Sequence, residues 1–148
     1  MIIKNNIIGI DPGKATGLAI FNNGVLIKLC TCTPYELIRW LQEDYNFIKL
    51  VVFENSKLQS NIFSSADSTK KIFGKIARNI GQVDGFCEII KEICVYYNIE
   101  YKEISPLAKG QKITHKQFIE RVSNWQKQTN QHERDAVQVV MKYNYQFY

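Results

Sequence analysis

Two apolar runs in this chain each stop on a single carboxylate: "IIGID" ends on Asp11 and "IKLVVFE" ends on Glu54. Ile7, Ile8 and Ile10 are β-branched and suit a strand, while Asp11-Pro12-Gly13 is turn chemistry that ends it. Asp11 therefore sits where a buried central strand opens into a loop. An aspartate there is also an ordinary turn residue, able to bond its own backbone two positions on. Gly13 and Gly17 let the backbone turn tightly and pack close. The following "LAIFNNGVLIKL" supplies two apolar runs joined by Asn23-Gly24, a strong hairpin signal. The chain opens as strand, turn, strand, hairpin, strand.

At 148 residues with 45% hydrophobic and 12% aromatic content, the chain is expected to form one globular domain over 1–148, large enough for a real core and too short for two. The net charge of +5 favours a polyanionic partner. Cys30, Cys32, Cys87 and Cys94 lack CxxC or zinc-ribbon spacing, and the N-terminus has no charged-then-apolar leader, so a reducing cytoplasm is the expected setting. Cys30 and Cys32 share one face of a strand and Cys87 and Cys94 one face of a helix. They are either the halves of a composite metal site or buried thiols acting as small hydrophobes. No apolar run has the length needed to span a bilayer.

Further along, Thr33-Pro34 and "YELIRWLQEDY" read as an N-capped amphipathic helix with Leu37, Ile38 and Leu41 on one side. The polar segment "SKLQSNIFSSADS" reads as a loop leading into a long helix from Thr69 to about Tyr97, and "IEYKEIS" as a short strand. A loop from Pro106 to Thr114 and two helices, "HKQFIERVSNWQK" and "HERDAVQVVMKY", complete the chain. The order βββαβαβαα predicts an α/β fold, a mixed β-sheet flanked by α-helices.

One sheet could bring several acidic positions together. Asp11 and Glu54 each follow an apolar strand, and His132 and Asp135 lie at i and i+3 on one face of the last helix. Hard divalent cations want oxygen ligands, and a pair of Mg2+ ions needs several carboxylates converging from different elements. Asp11, Glu54, His132 and Asp135 are the candidates for such a catalytic and metal-binding cluster. Each also has a plain role: a turn residue, a strand-end charge, and two N-terminal helix residues favoured by capping and the helix dipole.

"IIGIDPGKATGLAIF", "LVVFENS", "GQVDG" and "HERDAV" occur in the order and spacing of the RuvC-like Holliday junction resolvases, and from about Ile7 to Met141 the chain resembles that family. The resemblance implies a ribonuclease H-like fold and metal-dependent endonuclease activity on four-way or other branched DNA. It implies Asp11, Glu54 and Asp135 as ligands of two Mg2+ ions, with Mn2+ as a substitute. His132 falls at a position where family members carry aspartate or histidine. In such an enzyme one ion activates water and the other stabilises the leaving 3′ oxygen, leaving a 5′ phosphate. On this reading Gly13 and Gly17 keep side chains away from the approaching phosphate.

Basic residues fit the same partner. At about 100° per residue, Lys70, Lys71, Lys75 and Arg78 fall within roughly 140° of one another on the long helix, as a stripe for phosphates or as a solvated face. Lys109, Lys112 and Lys116 form a second group, in a region where family members carry lysines close to the active site. Three places after Glu54 the family often presents an aromatic wedge, whereas this chain has Lys57. Lys57 is then an expected DNA contact, and Leu58 or Phe63 a substitute wedge; Phe63 is equally placed to anchor its loop on the core.

A four-way junction has two-fold symmetry, so a homodimer is expected. The corresponding helix pairs in the family, which points to Ile76, Ile80, Val83 and Cys87, although that face is also suited to covering the sheet. A ribonuclease H-type nuclease acting on another structured DNA or RNA shares the same cluster, and a catalytically silent junction-binding protein would have no need of all four ligands. A sugar-kinase or actin-like ATPase needs a second such domain, for which the chain has no room.

Overall fold

The computed structural model describes residues 1–58 and 70–143, with side chains described for 1–58 and 82–143. Five strands form one sheet: β1 (Asn6–Asp11), β2 (Thr16–Asn22), β3 (Val25–Cys32), β4 (Ile48–Glu54) and β5 (Glu100–Ile104), in the order β3-β2-β1-β4-β5. The first three are antiparallel neighbours, while β4 runs parallel to β1 and β5 parallel to β4. The predicted hairpin is present, with Asn23 and Gly24 both at positive φ (49° and 79°), as a turn matching the right-handed strand twist requires.

Helices cover both faces of the sheet. α1 (Pro34–Asp44) starts on a capping box, in which the Thr33 hydroxyl accepts from the Glu36 N–H and the Glu36 carboxylate from the Thr33 N–H. Together with α2 (Lys70–Tyr96) it packs on the face carrying Ile8, Ile10, Val51 and Phe53. The opposite face carries Ala19, Phe21 and Val52 and is covered by α4 (His115–Arg121) and α5 (Gln131–Tyr143). The mixed, helix-flanked sheet is the expected fold class. Among the described residues no helix is long and apolar enough to cross a membrane.

The segment 106–114 is not wholly a loop, because it begins with a short helix, α3 (Pro106–Lys109), capped by the Ser105 hydroxyl. The helix expected to run to Lys127 stops at Arg121. Asn124 spends its side-chain amide on the Leu26 carbonyl (3.1 Å), and Trp125 packs on the second core rather than continuing the helix. Cys87 and Cys94 are fully buried on α2, and burial pushes both thiols up to about 12. Cys30 and Cys32 pack against the same core from the edge strand, and all four cysteines are free thiols. All four pack as small hydrophobes against that core. Cys87 is thereby removed from the expected dimer face, since its side chain lies in the core and its thiol donates to the Glu54 carbonyl. Val83 packs partly on that core, and the side chains of Ile76 and Ile80 lie outside the described residues.

Candidate active site

The sheet register places the two strand-end carboxylates side by side. Ile10 of β1 pairs with Phe53 of the parallel β4, so Asp11 and Glu54, one residue further, leave the sheet at the same edge. Buried apolar residues precede each, which leaves the lip of the sheet as the first point at which a carboxylate meets solvent.

α5 delivers the other two groups by lying almost backbone to backbone on β1 and β2. A Cβ at Gly9 would collide with the Ala136 carbonyl, and one at Gly17 with the His132 carbonyl. Gly17 therefore serves the seating of α5 and not the approach of a phosphate, the role expected from sequence. A Cβ at Gly13 would meet only the Ala15 carbonyl, at 3.4 Å, so the fold itself does not demand glycine there. The helix starts at Asn130, whose side-chain oxygen accepts the Glu133 N–H (2.9 Å) and whose amide donates to Thr31 on β3 (2.8 Å). His132 Nδ1 lies 3.3 Å from Asp11 Oδ2, and Asp135 is almost wholly buried with Gln131 Nε2 donating to its Oδ1 (2.8 Å).

Asp11, Glu54, His132 and Asp135 all line one cleft of about 640 Å³. Lys109 stands in its floor, with Nζ 2.6 Å from Glu54 Oε2 and 3.5 Å from Asp135 Oδ2 and a side chain only 8% exposed. Burial pushes the Asp11 carboxyl up from its ordinary 3.8 to about 6; Lys109 pulls against this, while the Asp135 and Glu54 charges add to it. For Lys109 burial works to lower the pKa, but the Glu54 bond and the surrounding carboxylates outweigh it and the ammonium is held more firmly than usual. Three carboxylates thus share one cleft with three lysines, of which Lys109 is in ion-pair contact with them. Among the described residues no three His, Cys, Asp or Glu side chains are spaced to hold a metal ion as they stand, with Lys109 taking their oxygens. The donor set itself, carboxylate oxygens with one imidazole, suits a hard divalent ion such as Mg2+ or Mn2+.

The same helix holds the Lys109 segment in place. Gln138, buried on α5, donates from Nε2 to the carbonyls of Lys109 (3.1 Å) and Gln111 (2.7 Å). Arg134 donates to the Ile113 carbonyl (2.8 Å) and the Thr129 carbonyl (2.8 Å). On the other side, Asn55 fixes the end of β4 by donating from its backbone to Ile104 (2.9 Å) and from its side chain to Glu103 (2.6 Å).

The basic positions divide. Lys112 lines the cleft with Lys109, Lys116 is exposed on α4, and Lys57 pairs with Glu88 at 3.3 Å on the surface. Lys70, Lys71, Lys75 and Arg78 occupy the first turns of α2, but their side chains, like the whole of Phe63, lie outside the described residues. Sequence reasoning missed two cleft residues. Lys14 is exposed at the rim, immediately after the turn at Asp11, and Gln131 lies one helical turn before Asp135; adjacency to a named acid was the available signal for each.

No protein-family model matches the chain, and no curated protein matches it by sequence. Solved structures do match by shape. Thermus thermophilus RuvC in complex with a Holliday junction substrate superposes with a TM-score of 0.61 at 15% identity, over 97% of this chain and 94% of that one. A second Thermus thermophilus RuvC structure gives 0.53 at 14% identity, again over 97% and 94%. From its first strand to its last helix, this chain has the RuvC version of the ribonuclease H-like fold.

Proposed function

We propose that the protein is a Mg2+-dependent endonuclease that resolves four-way or other branched DNA by paired, symmetric nicks. The observation that carries this reading is the convergence of Asp11, Glu54, His132 and Asp135 on one cleft at the lip of the parallel β1/β4 pair, within a fold shared with RuvC.

Asp11, Glu54 and Asp135 would hold the metal, with His132 as a fourth donor at the exposed side of the cleft. When bound, the ions supply the charge that activates water and stabilises a leaving 3′ oxygen. The chain's own contribution is placement. β1 and β4 fix two carboxylates to the rigid sheet, Gln131 orients Asp135, and the seating of α5 sets its distance from Asp11. Lys14 and Lys112, at the cleft, offer charge to the DNA backbone, with Lys116, Lys57 and the α2 stripe of Lys70, Lys71, Lys75 and Arg78 extending the track. Two nicks at matching places call for two clusters, so the working form on this reading is a homodimer acting in the cytoplasm.

The test is incubation of the purified protein with a labelled four-way junction and Mg2+, alongside linear duplex and an RNA–DNA hybrid. Symmetric nicks on the junction alone are expected; preferential cutting of the hybrid would replace this reading with another ribonuclease H-type activity. Asp11→Asn, Glu54→Gln and Asp135→Asn should each abolish cutting while junction binding persists or improves, because a carboxylate near phosphate repels bare DNA. Wild-type cutting rates in any of the three would remove that residue from the cluster.

A further inference from the structure

The ammonium in the floor of the cleft makes the same demand on the carboxylates that a metal ion would. Lys109 Nζ takes Glu54 Oε2 at 2.6 Å and lies 3.5 Å from Asp135 Oδ2, and its side chain is buried. A Mg2+ ion binds oxygen ligands at about 2.0–2.1 Å and prefers a complete octahedron. Two cations cannot both claim the inward oxygens of Glu54 and Asp135 at such range without strong mutual repulsion. We propose that Lys109 is a resident counter-cation of the carboxylate cluster, which an entering divalent ion displaces toward the cleft mouth.

The surroundings allow that displacement for the side chain and deny it to the backbone. Gln138 grips the carbonyls of Lys109 and Gln111, and the Lys109 N–H is tied to the Ser105 carbonyl at 3.0 Å. The backbone stays while the four-carbon stem turns, and the direction open to it is the cleft that Lys112 also lines. There an ammonium released from Glu54 meets incoming phosphate. Charge bookkeeping favours the same course: the three carboxylates Asp11, Glu54 and Asp135 share the cleft with the three ammonium groups of Lys14, Lys109 and Lys112, so a divalent ion leaves positive charge in excess there and calls for the DNA backbone. Metal and DNA then assist each other, and by thermodynamic reciprocity each raises the other's affinity by the same factor.

The inference rests on the metal-binding reading above, and the experiment separates the two. Mn2+ is titrated by electron paramagnetic resonance into the wild type, Lys109→Met and Asp11→Asn, all without DNA. Lys109→Met, which keeps the stem and removes the charge, should bind Mn2+ at least tenfold more tightly than the wild type. Equal or weaker binding by Lys109→Met overturns the counter-cation role. Failure of all three proteins to bind Mn2+, or no loss in Asp11→Asn, overturns the metal site itself. Thermal unfolding gives a second readout: Mn2+ should raise the melting temperature of Lys109→Met more than that of the wild type. Lys109→Gln, which can still donate a hydrogen bond to Glu54, must also bind Mn2+ more tightly than the wild type, and settles the matter should Lys109→Met not fold at all.

Discussion

Asp11 illustrates how a single side chain is held against its own preference. Burial raises its carboxyl from 3.8 to about 6, with the neighbouring carboxylates adding to the effect, so at neutral pH its ionised form weakens the fold in the absence of metal. Below about pH 4 both folded and unfolded chains carry the proton and there is no penalty. The penalty grows as pH rises through the interval to about 6 and is constant above it. In chelator, Asp11→Asn is therefore expected to match the wild type in urea unfolding near pH 4 and to exceed it by about 3 kcal/mol near pH 8, a shift of about two units being worth that much. Identical stability curves at both pH values would show that the carboxyl is not under this stress. His132 is the more forgiving position. It is half exposed and touches Asp11 only at 3.3 Å, so His132→Asp should retain measurable junction cutting, with an activity that saturates at lower Mg2+ because a fourth carboxylate joins the cluster.

At the scale of elements, α5 does three things at once. It lies on the backbone of β1 and β2 at Gly9 and Gly17, it presents His132 and Asp135, and through Arg134 and Gln138 it fixes the segment carrying Lys109 and Lys112. Gly17→Ala should cost about 1–3 kcal/mol from overpacking and, by lifting the start of α5, lose cutting out of proportion to stability. Unfolding and junction cleavage measured on the same preparation separate the two losses. The carboxylates at the ends of β1 and β4 could be read locally, since an apolar run that stops on an acid and a turn is visible in a few residues. Gly17 could not be: in "DPGKATG" it looks like turn chemistry, and its neighbour arrives from His132, far along the chain. For a related reason, the enclosure of Lys109 could not be read. Its burial depends on Glu54, Asp135 and Gln138, contributed by different elements, and no local pattern announces a lysine so enclosed. The early end of α4 was likewise decided by Asn124 reaching Leu26 on β3, a tertiary bond with no trace in helical periodicity.

For the whole molecule, the net charge of +5 favours a polyanion, and the cleft itself sets three carboxylates beside three lysines, so attraction to DNA and the chemistry meet at its rim. Lys112→Ala, Lys75→Ala and Arg78→Ala should each weaken junction binding and flatten its salt dependence by about one unit of slope per lost phosphate contact, leaving the choice of cut site unchanged. Binding that ignores a substitution would make that residue a solvated charge. Sedimentation should show a dimer at micromolar protein, and a strict monomer with junction bound would favour the reading of a nuclease on another substrate. The direct seating of α5 on the sheet carries one more consequence, for sequence drift. Where a helix rests on strands through main-chain atoms at Gly9 and Gly17, the spacing of the carboxylates is set by two absent side chains rather than by the fit of many present ones. A saturation library selected for cleavage should find Gly9 and Gly17 nearly as intolerant as Asp11 itself, while the buried Ile8, Ile10 and Leu18 beside them accept only apolar replacements of similar volume.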